Sequence, residues 1–100
     1  MDLAQARTEF LAYVAVERGL SVNTLDAYTR DLEGYLLWLN GKKITLPNQV
    51  TRSDVEEYIG SLRDLGMAPA SVERHTAALR NFHKFMAVEQ ICESSPAEDL

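Results

Sequence analysis

Residues 21–40, SVNTLDAYTRDLEGYLLWLN, decide how the rest of the chain is read. Leu25, Tyr28, Leu32, Tyr35, Leu36 and Leu39 recur at steps of three and four, the spacing that gathers side chains on one face of an α-helix. At about 100° per residue the opposite face carries Asn23, Ala27, Arg30 and Gly34, polar or basic groups separated by residues with almost no side chain. Such a face can lie flat against something large. Ser21 is placed to cap the first turn, because its hydroxyl can accept from an orphan amide, and Asn40-Gly41 supplies a left-handed stop.

Three further helices follow from the same periodicity. Upstream, Leu3, Ala6, Phe10, Tyr13 and Val14 predict a helix over about residues 2–18, with Val16 at the edge of its stripe, Asp2 at its start and Gly19 at its end. The Gly19-Leu20 connection is short, so the first two helices should be neighbours. Downstream, GKKITLPNQV reads as a loop held by its own side chains. Thr51 with Asp54 approximates a capping box, and Val55, Tyr58, Ile59 and Leu62 form the stripe of a helix over about 52–65, closed by Gly66. Pro69 suits a first helical turn, where its missing amide proton would have no partner. Val72, His75, Leu79, Phe82 and Met86 then mark a helix over about 70–88, with Arg74, Arg80, Asn81, Lys84, Ala70 and Ala77 on the far side. The acidic tail ICESSPAEDL shows no pattern able to bury itself and reads as the start of a linker at 91–100. The expectation is an all-α, compact four-helix domain over residues 1–90.

Composition narrows the function. One hundred residues with 46% hydrophobic content fit a single small domain. A formal charge of −5 argues against indiscriminate coating of polyanions, which scales with the number of basic groups. Cys92 is the only cysteine, so neither an intrachain disulfide nor a cysteine-paired zinc site is possible; a cytosolic protein is expected. No apolar run approaches the roughly 20 residues of a membrane span, and the N-terminus lacks a signal-peptide layout. No cofactor and no metal are expected: His75 falls on an apolar stripe, and His83 has no carboxylate cluster around it.

The order of motifs is itself informative. S-x-N-T-L-x-A-Y-x-x-D-L over Ser21–Leu32, followed by S-V-x-R-H-x-x-A-L-R-x-F-x-K-F over Ser71–Phe85, resembles the N-terminal core-binding domain of the tyrosine recombinases, and most of all the Xer and phage-integrase branch. The likeness covers nearly the whole chain, including E-R-G-L-S before the second helix and S-P-A at Ser95–Ala97, where that family usually has N-P-A. The resemblance implies a SAM-like four-helix fold that holds one side of a recombination half-site in double-stranded DNA, beside other recombinase protomers. A separate C-terminal domain would carry catalysis. It also implies that the second and fourth helices approach the major groove, which maps onto Asn23, Thr24, Ala27 and Arg30, and onto Ser71, Arg74, Arg80 and Lys84. No catalytic residue is expected within this chain. Its four tyrosines, Tyr13, Tyr28, Tyr35 and Tyr58, fall on buried stripes without phosphate-binding groups around them.

Each of these residues also has a plainer use. A polar helix face is what any solvated helix shows. Arg74, early in its helix, can present two donors to a guanine edge or reach a phosphate, whereas Ser71 and Thr24 suit either a phosphate oxygen or an N-cap. Arg80 and Asp31 both flank core stripes, so an ion pair between them competes with a DNA role for Arg80. Trp38 and Leu37 are expected in a second helix contact. Residues 41–52 carry three basic groups and no acid, which favours a dipolar domain with one basic side. The rivals are an acidic helical protein-interaction module and, more distantly, a helix-turn-helix regulator turning at Gly66–Pro69.

Overall fold

A computed structural model describes residues 1–100. The chain forms α1 (Leu3–Glu17), α2 (Val22–Gly41), a 3-10 turn (Pro47–Gln49), α3 (Arg52–Asp64) and α4 (Pro69–Val88), with no strand. Each start has a local cause. Asp2 caps α1 in a reciprocal box with Gln5, Ser21 Oγ accepts from the Thr24 amide at 3.2 Å, and Thr51 and Asp54 close the box at α3. Pro69 is the first residue of α4, behind an N-cap, Ala68, that offers no side-chain acceptor.

The helix ends are less literal readings of the sequence. Gly19 and Gly66 do adopt the left-handed conformation, at φ of 58° and 81°. Asn40-Gly41 does not stop α2: Gly41 is its last helical residue, and the left-handed position falls on Lys43 at φ 63°. There the backbone turns so that the Lys42 and Ile44 amides both donate to the Leu39 carbonyl.

The core is one cluster fed by all four helices. Phe10 of α1 packs against Phe82 and Phe85 of α4 with ring centroids 5.6 and 5.5 Å apart, and Leu32, Tyr35 and Leu39 of α2 are completely buried. A second aromatic column joins α2 to α3: Tyr35 lies 5.0 Å and Trp38 5.3 Å from the Tyr58 ring, and Lys42 Nζ stands 4.7 Å over Trp38. Trp38 therefore fills the expected second contact. Leu37 does not, being 65% exposed, and Tyr13 and Val16 also lie further out than their stripe implied. Gly34 belongs to this column rather than to a free polar face, since a Cβ there would stand 3.3 Å from the Tyr58 hydroxyl.

The tail departs most from its reading. Gln90, at φ 59°, reverses the chain so that Cys92 and Ala97 enter the core. The Asn48 side-chain oxygen accepts from the Glu93 amide at 3.0 Å, and Arg52 pairs with Asp99. Residues 91–100 thus bury apolar groups that carry no helical period.

Candidate nucleic-acid interface

Two polar contacts cross the junction of α2 and α4, and they differ in kind. Near the start of α4, the Asp31 carboxylate is buried and accepts from Arg74 Nε at 2.9 Å and from Arg74 Nη2 at 3.0 Å. His75 Nε2 approaches the same carboxylate at 3.2 Å. The Arg74 side chain remains 44% exposed. Its hydrogen bond to Asp31 raises the guanidinium pKa further, so it is charged at every relevant pH. Burial holds the His75 pKa below the ordinary histidine value; Asp31 opposes that shift and Arg74 adds to it. His75 Nδ1 has no hydrogen-bond partner.

The second contact is neutral. The Tyr35 hydroxyl and His83 Nε2 hydrogen-bond at 2.8 Å within the core, where His83 has no exposed surface. Burial pushes the His83 pKa down to about 4 and the Tyr35 hydroxyl well above its usual range. Both groups stay uncharged. The stripe read from the sequence omits His83; the available signal was its place four after Leu79 and three before Met86.

Of the two uses open to Arg80, the ion pair with Asp31 does not form. The acid and the helix are as read, but Arg74 takes the carboxylate, while Arg80 Nη1 donates to the Leu100 carbonyl at 2.9 Å. The basic stretch over 41–52 is corrected too: Lys42 bridges Asp54 at 3.3 Å and Glu57 at 2.7 Å, and Arg52 pairs with Glu56 and Asp99. Acids of α3 and the tail occupy that side.

Outside the ion pairs are Arg7, Arg18, Lys43 and Arg63, together with Arg30 on α2 and Arg80 and Lys84 on α4. Asn23 and Thr24 are exposed in the first turn of α2, where Thr24 Oγ1 accepts from Ser21 Oγ at 3.0 Å and keeps its own proton free. Ala27 is half-buried; Arg30 is exposed and in no ion pair. On α4, Ala70, Arg74, Ala77, Asn81 and Lys84 follow one another at steps of four and three along an accessible edge. Lys84 is exposed, with no carboxylate partner, and shares a cleft with Leu20 and Tyr28 at the start of α2. Ser71 is not the N-cap, and its hydroxyl forms no hydrogen bond within the chain. Sequence reasoning missed Arg63, in the last turn of α3, which lines one groove with Arg74 and Arg80. Its position beside the α3–α4 turn was the available signal. Lys84 lines a cleft of about 190 Å³ with Arg18, Leu20 and Tyr28, and the open groove beside Arg63, Arg74 and Arg80 measures about 1110 Å³.

Residues 8–90 match the family described as phage integrase, N-terminal SAM-like domain. The chain belongs to that family. Among relatives of this SAM-like domain, it is 35% identical over 96 residues to tyrosine recombinase XerD of Oceanobacillus iheyensis, covering 95% of this chain and 32% of that protein. It is 35% identical over 91 residues to the XerD of Chlorobaculum tepidum, covering 91% and 30%. For the XerD of Listeria monocytogenes the identity is 40% over 79 residues, covering 78% and 27%. The SAM-like domain thus spans about a third or less of the length of the recombinases it matches. No solved structure matches it. The four-helix fold and the family agree with the architecture read from periodicity and motif order.

Proposed function

We propose that this SAM-like domain grips one face of a recombination half-site in double-stranded DNA through α2 and α4, and orients a separate catalytic domain for strand exchange. The observation that carries the reading is Arg74: a permanently charged guanidinium, fixed to α2 by a buried carboxylate and still half open to solvent, on an edge of α4 that bears small residues and Lys84. The small side chains of Ala27, Ala70 and Ala77 let a duplex approach both helices closely. Asn23, Thr24, Arg30 and Lys84 flank that line, and Ser71 sits in the first turn of α4, where free amides and a hydroxyl suit a phosphate oxygen. Arg80 is a weaker member, since one of its donors is held by Leu100.

The full protein, by this reading, is a cytoplasmic tyrosine recombinase acting with other protomers on DNA. Residues 91–100, packed on the core through Cys92 and Ala97, lead toward its catalytic domain. The recognition module itself uses no cofactor. With a net charge of −5, it binds weakly alone, and joining it to a second DNA-binding domain raises affinity through effective concentration.

The test is fluorescence anisotropy of a labelled 30-bp duplex across a salt series, for the wild type and for Arg30→Ala, Arg74→Ala and Lys84→Ala. Binding should weaken steeply with salt; Arg30→Ala and Lys84→Ala, as lost phosphate contacts, should each lower the slope of log K against log salt by about 1, and Arg74→Ala should weaken binding as well. A salt-independent interaction, or none at low salt, would instead favour the acidic protein-interaction module.

A further inference from the structure

We infer that Asp31 is a specificity-determining positioning residue: it holds the side-on edge of Arg74 so that the end-on edge reads a guanine. The inference rests on the reading of α4 as DNA-facing and adds to it which base is read and what aims the reader.

A guanidinium carries five N–H donors in a fixed plane. Its Nε and one Nη form the side-on pair, and the two Nη groups form the end-on pair. Asp31 takes the side-on pair with both of its oxygens, at 2.9 and 3.0 Å. The end-on edge keeps two parallel N–H donors, and no other group in the chain accepts from them. Two parallel donors complement guanine O6 and N7 in the major groove; a phosphate can also accept both, and the place of Arg74 in the second turn of a helix read as groove-facing favours the base edge.

The carboxylate is itself immobilised. It is 3% exposed, lies on the same α2 turn as Arg30, and has His75 Nε2 packed 3.2 Å from one of its oxygens. A free arginine has several rotatable bonds and would lose their freedom on docking; one braced at Nε has already lost it. Asp31 therefore acts before DNA arrives. The Arg74 position is set by α2, which makes the base reading of α4 dependent on how the two helices are seated.

The test begins with selection from a pool of duplexes with a randomised 20-bp centre, using this chain at low salt. Preference is then measured base by base for the wild type, Arg74→Lys and Asp31→Asn. The wild type should favour guanine at one position by about 5- to 100-fold, the range of a good bidentate pair. Both variants should lose that preference at that position alone, with the preferences at the other positions kept. A separate readout keeps folding apart from positioning: the Arg74 Nε–H resonance should be protected from exchange in the wild type and lost from view in Asp31→Asn, whose amide spectrum otherwise stays dispersed. Retention of the guanine preference in Asp31→Asn, with loss in Arg74→Lys, would overturn the role of Asp31. An equal loss on every duplex in Arg74→Lys would make Arg74 a phosphate contact and overturn the inference while leaving DNA binding standing. Failure of the wild type to select any duplex would remove the underlying reading itself.

Discussion

Helix α4 carries two histidines eight residues apart, and each meets a partner from α2, yet the two meetings have opposite characters. His83 and Tyr35 form a neutral pair sealed in the core; His75 joins Arg74 on the Asp31 carboxylate, and that cluster opens to solvent on one side. A neutral pair in the interior fixes register without leaving a charge to be compensated. A charged cluster at the rim fixes register too, but it leaves three guanidinium donors pointing away from the protein. The same two helices are thus joined once by a sealed neutral pair and once by a charged pair that stays open to solvent.

The comparison can be broken from the stable side first. His83→Ala removes a fully buried ring and leaves the Tyr35 hydroxyl without its partner, so unfolding free energy should fall by about 3–4 kcal/mol in urea melts. Affinity for duplex DNA should be unchanged below the melting range.

Acid provides the next largest effect. The His83 pKa is about 4 in the folded chain, against about 6.5 when unfolded. Between those values the unfolded state binds more protons, so this contribution to stability is complete above about 6.5 and is lost as pH falls toward 4. At 1.36 kcal/mol per unit, the gap in stability between wild type and His83→Ala should shrink by about 3 kcal/mol from pH 7 to pH 4, as read by paired melts. A constant gap would mean that His83 titrates normally.

Arg74→Ala should cost about 2 kcal/mol, less than for a fully buried pair because His75 still reaches Asp31 and Arg74 was half exposed. Its distinctive sign is electrostatic: with the guanidinium gone, the His75 pKa should rise, a change visible in the imidazole proton shifts. Tyr35→Phe, which deletes only a hydroxyl, should cost about 1–2 kcal/mol and leave His75 untouched.

How much of this was readable beforehand divides along the same line. The helices announce themselves because each has a stripe of apolar residues and a cap at its start, and those signals are local. The pairing of Asp31 is not local. Arg74 and Arg80 lie six residues apart, about 240° round the helix, and which one faces α2 depends on how the helices cross. Periodicity within α4 places both on its far side, one toward either flank of the core stripe, and cannot choose between them. The tail is hidden for a related reason: Cys92 and Ala97 reach the core because Gln90 takes a left-handed conformation, and no spacing rule marks a glutamine for that turn. Lys43 likewise takes the turn that Gly41 seemed made for, because the helix runs on through the glycine. The candidate face was legible as two small-and-basic edges. Its bracing by Asp31 was not.

The most direct test is an amide-shift titration of this domain with a duplex carrying a recombination half-site, at low and at moderate salt. Shifts concentrated on Asn23–Arg30 and Ser71–Lys84, fading as salt rises, are the expected result. Shifts confined to the acidic surface of α3 around Glu56 and Glu57, or none at low salt, would contradict the assignment of α2 and α4 as the DNA-facing pair.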